Sequence, residues 1–220
     1  METLAGAIAG LRMRMFRLLM PGMMAVLILL SGSLFAQNYP VMQEAFARSY
    51  ELEKAKKYAE AVTVIKKVFR EDSYEANLRL GWISYEAGNH SESAACYLRA
   101  IKLRPYAIEA KFGYVHPLGA LGNWDQVIRQ YNDILSISPH NTYANYYLGQ
   151  IYYVRKDYLK ALKYLEKVVN LYPMDYDALV LYAWINLRMG KMREAQVLFN
   201  KVLLIRPKDP SALEGLSMIK

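Results

Sequence analysis

Four prolines, Pro105, Pro139, Pro173 and Pro207, follow one another at intervals of 34 residues. A spacing kept over four positions constrains the chain more than any single motif, because self-similarity at periods of about 20 to 50 residues marks a repeat array. Other columns keep the same step. Leucine and glycine pair at Leu80-Gly81 and again at Leu148-Gly149, and Gly88, Gly122 and Gly190 lie one or two periods apart. Ser93, Val127, Ala161 and Ala195 form a column of small or compact residues; Tyr97, Tyr131, Leu165 and Phe199 follow four residues later, and Ala100, Ile134, Val168 and Val202 three after that. Offsets of four and three place these side chains on one helical face.

In this order the columns resemble the tetratricopeptide repeat, whose pattern W-x2-L-G-x2-Y, then A-x3-F, then P is best met by Leu148-Gly149-x2-Tyr152, Ala161-x3-Leu165 and Pro173. Five repeats can be placed, at 42–73, 74–107, 108–141, 142–175 and 176–209, with a capping half-repeat at 210–220. The first departs most: it lacks the proline, is two residues short and carries Arg48-Ser49 in place of leucine-glycine. Terminal repeats are often atypical because one face has no neighbour. The tryptophan column is also replaced, by Asn77, Lys111, Asn145 and Leu179. The resemblance implies an all-α fold, a right-handed α-solenoid of antiparallel helix pairs A and B, with ligands along a concave face formed by the A helices.

The residue types suit such a stack. Neither helix of a pair can bury its apolar stripe alone, so successive pairs must cover one another. Gly81, Gly149, Ala161 and Ala195 allow close backbone approach, and Tyr97, Tyr131, Leu165 and Phe199 fill the space between hairpins. Glycine at 88, 122 and 190 ends helix A, and the 34-residue prolines stop helix B.

The first 36 residues differ in kind. Arg12, Arg14 and Arg17 precede an uncharged run from Leu18 to Ala36 centred on "MMAVLILL", and "SGSLFAQ" offers a cut after Ala36. A basic segment, an apolar segment and small residues at a cut site define a secretory signal peptide. The same stretch also reads as an uncleaved membrane anchor, since nineteen uncharged residues just cross a bilayer, although Pro21, Gly22 and Gly32 leave a short apolar centre. Met13 or Met15 would begin a more ordinary signal than Met1. Either reading exports the chain, to the periplasm or another part of a bacterial cell envelope. Without residues 1–36 the remainder stays basic, which favours acidic partners or membrane surfaces weakly. No nucleic-acid partner is expected, and membrane contact is expected only through the N-terminal segment.

Catalysis is not expected. Cys96, the one cysteine, excludes an intrachain disulfide and a cysteine metal cage. His90, His116 and His140 fall at three different places in the repeat and so should not line one metal-binding face. The sequence holds no G-x-S-x-G, no H-E-x-x-H and no phosphate-binding loop. No cofactor and no metal are expected.

Binding remains, and the family frame assigns it a face. Counted back from the glycine that closes helix A, the inward positions hold Arg79, Trp82 and Tyr85 in repeat two and Phe112 and His116 in repeat three. Repeat four supplies Tyr143, Tyr146, Tyr147, Gln150 and Tyr153; repeat five supplies Val180, Leu181, Trp184 and Arg188. Members of the family that clamp a C-terminal carboxylate carry lysines and asparagines there, a specificity this aromatic set does not support. An aromatic groove suits a protein or peptide partner with apolar anchors, because tyrosine and tryptophan bring large contact area at small rotamer cost. It would also suit stacked sugar rings, which keeps a glycan-binding scaffold of polysaccharide export as the alternative. Several of these rings could instead pack only within and between the A helices.

The stretch "GYVHPLGALGNW", 113–124, ends helix A of repeat three. Pro117 removes a backbone donor and crowds the carbonyl of Gly113, at a cost of about 3 kcal/mol in a helix interior. A kink or early break is therefore expected, with His116 pushed from helical angles, Gly113 and Gly119 toward the groove, and the groove opened around His116.

Overall fold

A computed structural model describes residues 39–219. The leader read at 1–36 lies outside the described residues. Among those residues the chain is all-α, with eleven helices: α1 (Tyr39–Lys54), α2 (Tyr58–Val68), α3 (Tyr74–Glu86), α4 (His90–Leu103), α5 (Ile108–Ala120), α6 (Trp124–Ile137), α7 (Thr142–Val154), α8 (Tyr158–Leu171), α9 (Tyr176–Arg188), α10 (Met192–Ile205) and α11 (Pro210–Ser217). None of them is long and apolar enough to cross a membrane.

The chain divides into two compact units, one ending at Phe69 and one beginning at Arg70. In the first, α1 and α2 form one hairpin, with α1 starting at Tyr39, ahead of the repeat boundary read at 42. In the second, four hairpins follow in series, each packed on the next, and α11 covers α9 and α10. That unit is an α-solenoid.

The repeated columns do what their spacing implies. Ser93, Val127, Ala161 and Ala195, then Tyr97, Tyr131, Leu165 and Phe199, then Ala100, Ile134, Val168 and Val202 are all buried. Where serine replaces alanine, the Ser93 hydroxyl donates to the Gly81 carbonyl at 2.7 Å, so the substitution leaves no orphan polar group. In the missing tryptophan column, the Asn77 and Asn145 amides donate back to the Ser73 and Asn141 carbonyls at 2.7 and 2.8 Å, tying each helix start to the loop before it.

Each A helix ends in the same way. The amide three residues past the helix reaches back to the carbonyl five residues earlier, as Lys57 to Leu52, Asn89 to Ser84, Asn123 to Leu118, Asp157 to Tyr152 and Lys191 to Asn186. This closure requires a left-handed residue just before the donor. Gly88, Gly122 and Gly190 supply it at φ 73 to 80°, and Lys56 and Lys156 adopt it at 58 and 60° where glycine is missing. Ser73, Asn141, Asp175 and Asp209 cap the following A helices by accepting from the third amide beyond them. Ala107 has the same extended backbone and no capping side chain.

Pro117 does not break α5, which continues to Ala120 with His116 inside it. This corrects the expected interruption. Tyr114, Val115, Pro117 and Leu118 are all buried, and burial at about 1.5 to 3 kcal/mol for a large apolar side chain outweighs the proline penalty of about 3 kcal/mol. Gly113 does not face the groove either. It faces the ring of Tyr97 on α4, and a β-carbon there would overlap that ring.

Candidate functional site

Helix α7 reads "TYANYYLGQIYYV", and its apolar period divides it cleanly. Ala144, Asn145, Leu148 and Gly149 are buried on one side, while Tyr143, Tyr147 and Gln150 are exposed on the other and Tyr146 is half-buried. Gly149 lets the Leu165 side chain close on the helix backbone, which fixes the buried side and therefore turns the tyrosines outward. Tyr143 and Tyr147 are 68% and 39% exposed, enough for direct contact with a partner.

These rings join others across the boundary between repeats. Tyr147 stacks on Tyr131 at 5.7 Å between centroids with planes 10° apart, and Tyr146 meets Tyr147 edge-on at 5.5 Å. Phe112 bridges Tyr131 and Tyr143 at 6.3 and 6.4 Å. Offset and edge-on arrangements are the ones aromatic pairs favour.

Beside them opens a pocket of about 430 Å³ lined by Thr142, Tyr143, Tyr146, Tyr147, Val168, Tyr172, Asp175 and Asp177. Its ends are α7, the close of α8 and the start of α9. Burial, followed by Asp177, Tyr147 and Asp175, pushes the Tyr146 phenol above its ordinary value, so it stays a neutral donor at any physiological pH. Asp175 accepts from the Ala178 amide at 2.8 Å as the cap of α9. Among the described residues no basic side chain pairs with Asp175 or Asp177.

The other groove candidates separate into smaller groups. Trp82 and Tyr85 gather around His116, whose ring lies 6.0 and 5.4 Å from theirs. Burial against this group pushes the His116 imidazole below its ordinary value, against an opposing pull from Glu86. His90 also contacts Tyr85, at 5.5 Å, so two histidines at different repeat positions meet on one ring. No metal-holding group of histidine, cysteine or carboxylate occurs among the described residues. Trp184 packs edge-on against Phe199 at 5.4 Å, donates from Nε1 to Ser211 at 2.8 Å and carries the Arg188 guanidinium 5.5 Å from its centroid. Tyr153 packs on Tyr158.

Arg79 departs from the groove assignment. It is 6% exposed and its charge acts on the buried Tyr97, so it belongs to the interior and not to a partner surface. The sequence reading also missed Tyr131, Tyr172, Asp175 and Asp177. Tyr131 sits in a core column, and its outward edge becomes visible only when Tyr147 is seen stacked on it. A signal for Tyr172 was present: the slot before each proline holds Arg104, Ser138, Tyr172 and Arg206, and one aromatic stands among polar residues.

Comparison with known proteins agrees with this architecture. Residues 46–108 match the family described as tetratricopeptide repeat, and residues 130–202 match that of anaphase-promoting complex, cyclosome, subunit 3. A TPR repeat-containing protein of Methanocaldococcus jannaschii, MJ1428, is 31% identical over 52% of this chain, and YpiA of Bacillus subtilis is 27% identical over 76%. The chain spans 18% and 39% of the lengths of these relatives. A tetratricopeptide repeat protein from Parabacteroides merdae superposes with a TM-score of 0.70 at 21% identity, covering 80% of this chain and 70% of that one. A MamA protein from Desulfovibrio magneticus superposes at 0.66 with 19% identity, over 77% of this chain and 97% of that one. Repeat period, helix closure, buried columns and these matches together make this chain a tetratricopeptide repeat protein.

Proposed function

We propose that the chain is a non-catalytic adaptor of the bacterial cell envelope, exported by its N-terminal segment, that holds a protein or peptide partner on the aromatic face of α7. The tetratricopeptide repeat is in general a non-catalytic scaffold for protein interaction. The observation that carries the reading is the set of tyrosines, Tyr143, Tyr146 and Tyr147, that line an open pocket on a helix whose other side is buried. Amphipathic rings of this kind are common anchors of protein interfaces.

Capture of partners from envelope extract tests it. Tyr143→Ala with Tyr147→Ala should abolish capture while thermal unfolding stays cooperative, because both side chains are exposed. An unchanged set of captured partners overturns the site. Cell fractionation of the full chain beside one lacking residues 1–36 tests export, and equal recovery of both from the cytoplasm overturns the envelope assignment.

A further inference from the structure

The internal repeats supply a comparison that the pocket can be measured against. In repeat two the Arg104 guanidinium lies over the Tyr74 ring, 4.5 Å from its centroid, pairs with Glu75 at 3.0 Å, and Glu109 accepts from the Tyr74 hydroxyl at 2.8 Å. In repeat five Arg206 lies over Tyr176 at 3.4 Å, and Asp209 accepts from the Tyr176 hydroxyl at 2.6 Å. Both repeats thus close the same corner with a cation on an aromatic ring and a carboxylate beside it. In the 34-residue frame, Tyr172 takes the slot of Arg104 and Arg206, Asp177 that of Glu109, and Asp175 that of Asp209.

Repeat four keeps carboxylates in the slots of Glu109 and Asp209, but Thr142 replaces the ring of Tyr74 and Tyr176, Tyr143 replaces Glu75, and it has no cation of its own at this corner; the rings there come instead from Tyr143, Tyr146, Tyr147 and Tyr172. The pocket of about 430 Å³ lies at that place, with Tyr143, Tyr146, Tyr147 and Tyr172 around it and Asp175 and Asp177 at its edge. A positive group held over aromatic faces is attracted by their quadrupoles, and adjacent carboxylates add charge complementarity. An acidic or neutral anchor gains neither.

We infer that this pocket receives an arginine or lysine side chain of the partner, supplying from outside the cation that repeats two and five supply from Arg104 and Arg206. The inference rests on the proposed interaction face and adds the chemistry of its anchor. The occupant is a basic peptide segment.

The test is a nuclear magnetic resonance titration of the full chain with the peptide acetyl-Gly-Arg-Gly-amide and with the same peptide carrying citrulline, which keeps the shape and removes the charge. Saturable shifts at 143–147 and 172–177, at least tenfold weaker for citrulline, are expected. Asp175→Asn with Asp177→Asn should abolish them without unfolding the chain, because asparagine caps a helix as well as aspartate does. Tyr172→Arg should block the pocket from within and remain folded, as arginine does in that slot in repeats two and five. Equal binding of the two peptides overturns the inference, as does binding unchanged by the double asparagine variant. Preferential saturation by N-acetylglucosamine, by free spermidine or by a second copy of the chain also overturns it. The two readings fail separately: if partner capture is lost with the tyrosine variants but retained with the asparagine pair, the face stands and the cation anchor falls.

Discussion

Tyr97 on α4 lies so close to the backbone of Gly113 on the next A helix that no β-carbon fits between them. Its other flank rests on Gly81 of its own repeat, where an added β-carbon would stand 3.1 Å from the ring. One side chain is thus clasped by two glycines, one from each side of a repeat boundary. Phe199 meets Gly215 in the same way at the C-terminal end.

Gly113→Ala should therefore destabilise the chain. Overpacking of about 1 to 3 kcal/mol outweighs the roughly 1 kcal/mol that alanine gains in helix propensity. Gly119→Ala, six residues along the same helix with nothing within 4 Å of an added β-carbon, should stabilise it by about 0.5 to 1 kcal/mol. Urea unfolding of the two variants checks the contrast; effects of the same sign would show that the Tyr97 contact does not limit this position.

Pro117→Ala should raise stability by about 1.5 kcal/mol. Restoring a regular helix interior contributes about 3 kcal/mol, and loss of the buried ring's methylenes removes roughly half of that. A melting temperature that stays level or falls would mean that packing of the ring, at a buried position, outweighs the lost donor.

Lys156→Gly should stabilise the end of α7 by about 1 kcal/mol, since lysine holds a φ of 60° that glycine adopts without a β-carbon clash. The bond from Asp157 to Tyr152 should persist, and faster hydrogen exchange at the Asp157 amide would count against it.

Acid stability should depend on Asp209. The Tyr176 hydroxyl, then the Ala212 amide, hold its carboxyl below the ordinary aspartate value. A lowered folded value contributes stability above the unfolded value of about 3.9 and loses it as pH falls through the folded one. Asp209→Asn keeps the helix cap, so its unfolding midpoint should fall less steeply than that of the native chain below about pH 4. Parallel curves would remove Asp209 from the acid response.

Most of the architecture was legible in one sequence because the repeat writes each packing rule several times. Leu165, Phe199 and Tyr97 share an offset, and a helical face follows from it without coordinates. The site was half legible: Tyr143, Tyr146 and Tyr147 were visible as an outward face, but Asp175, Asp177 and Tyr172 belong to other elements, and no periodicity links them to α7. Arg79 was misassigned because an offset gives direction from the axis and not the depth of the neighbours above it.

The sequence by itself determined the period, the helices, their capping glycines and the buried columns, since these depend on local geometry repeated every 34 residues. Tertiary structure alone decided the exceptions. Whether Pro117 breaks a helix depends on how much its neighbours bury, and whether Gly113 faces the groove depends on a ring from another repeat. Whether tyrosines and aspartates make a pocket depends on three helix ends meeting in space. Those outcomes come from contacts between residues far apart in the chain, where packing energies exceed local preferences.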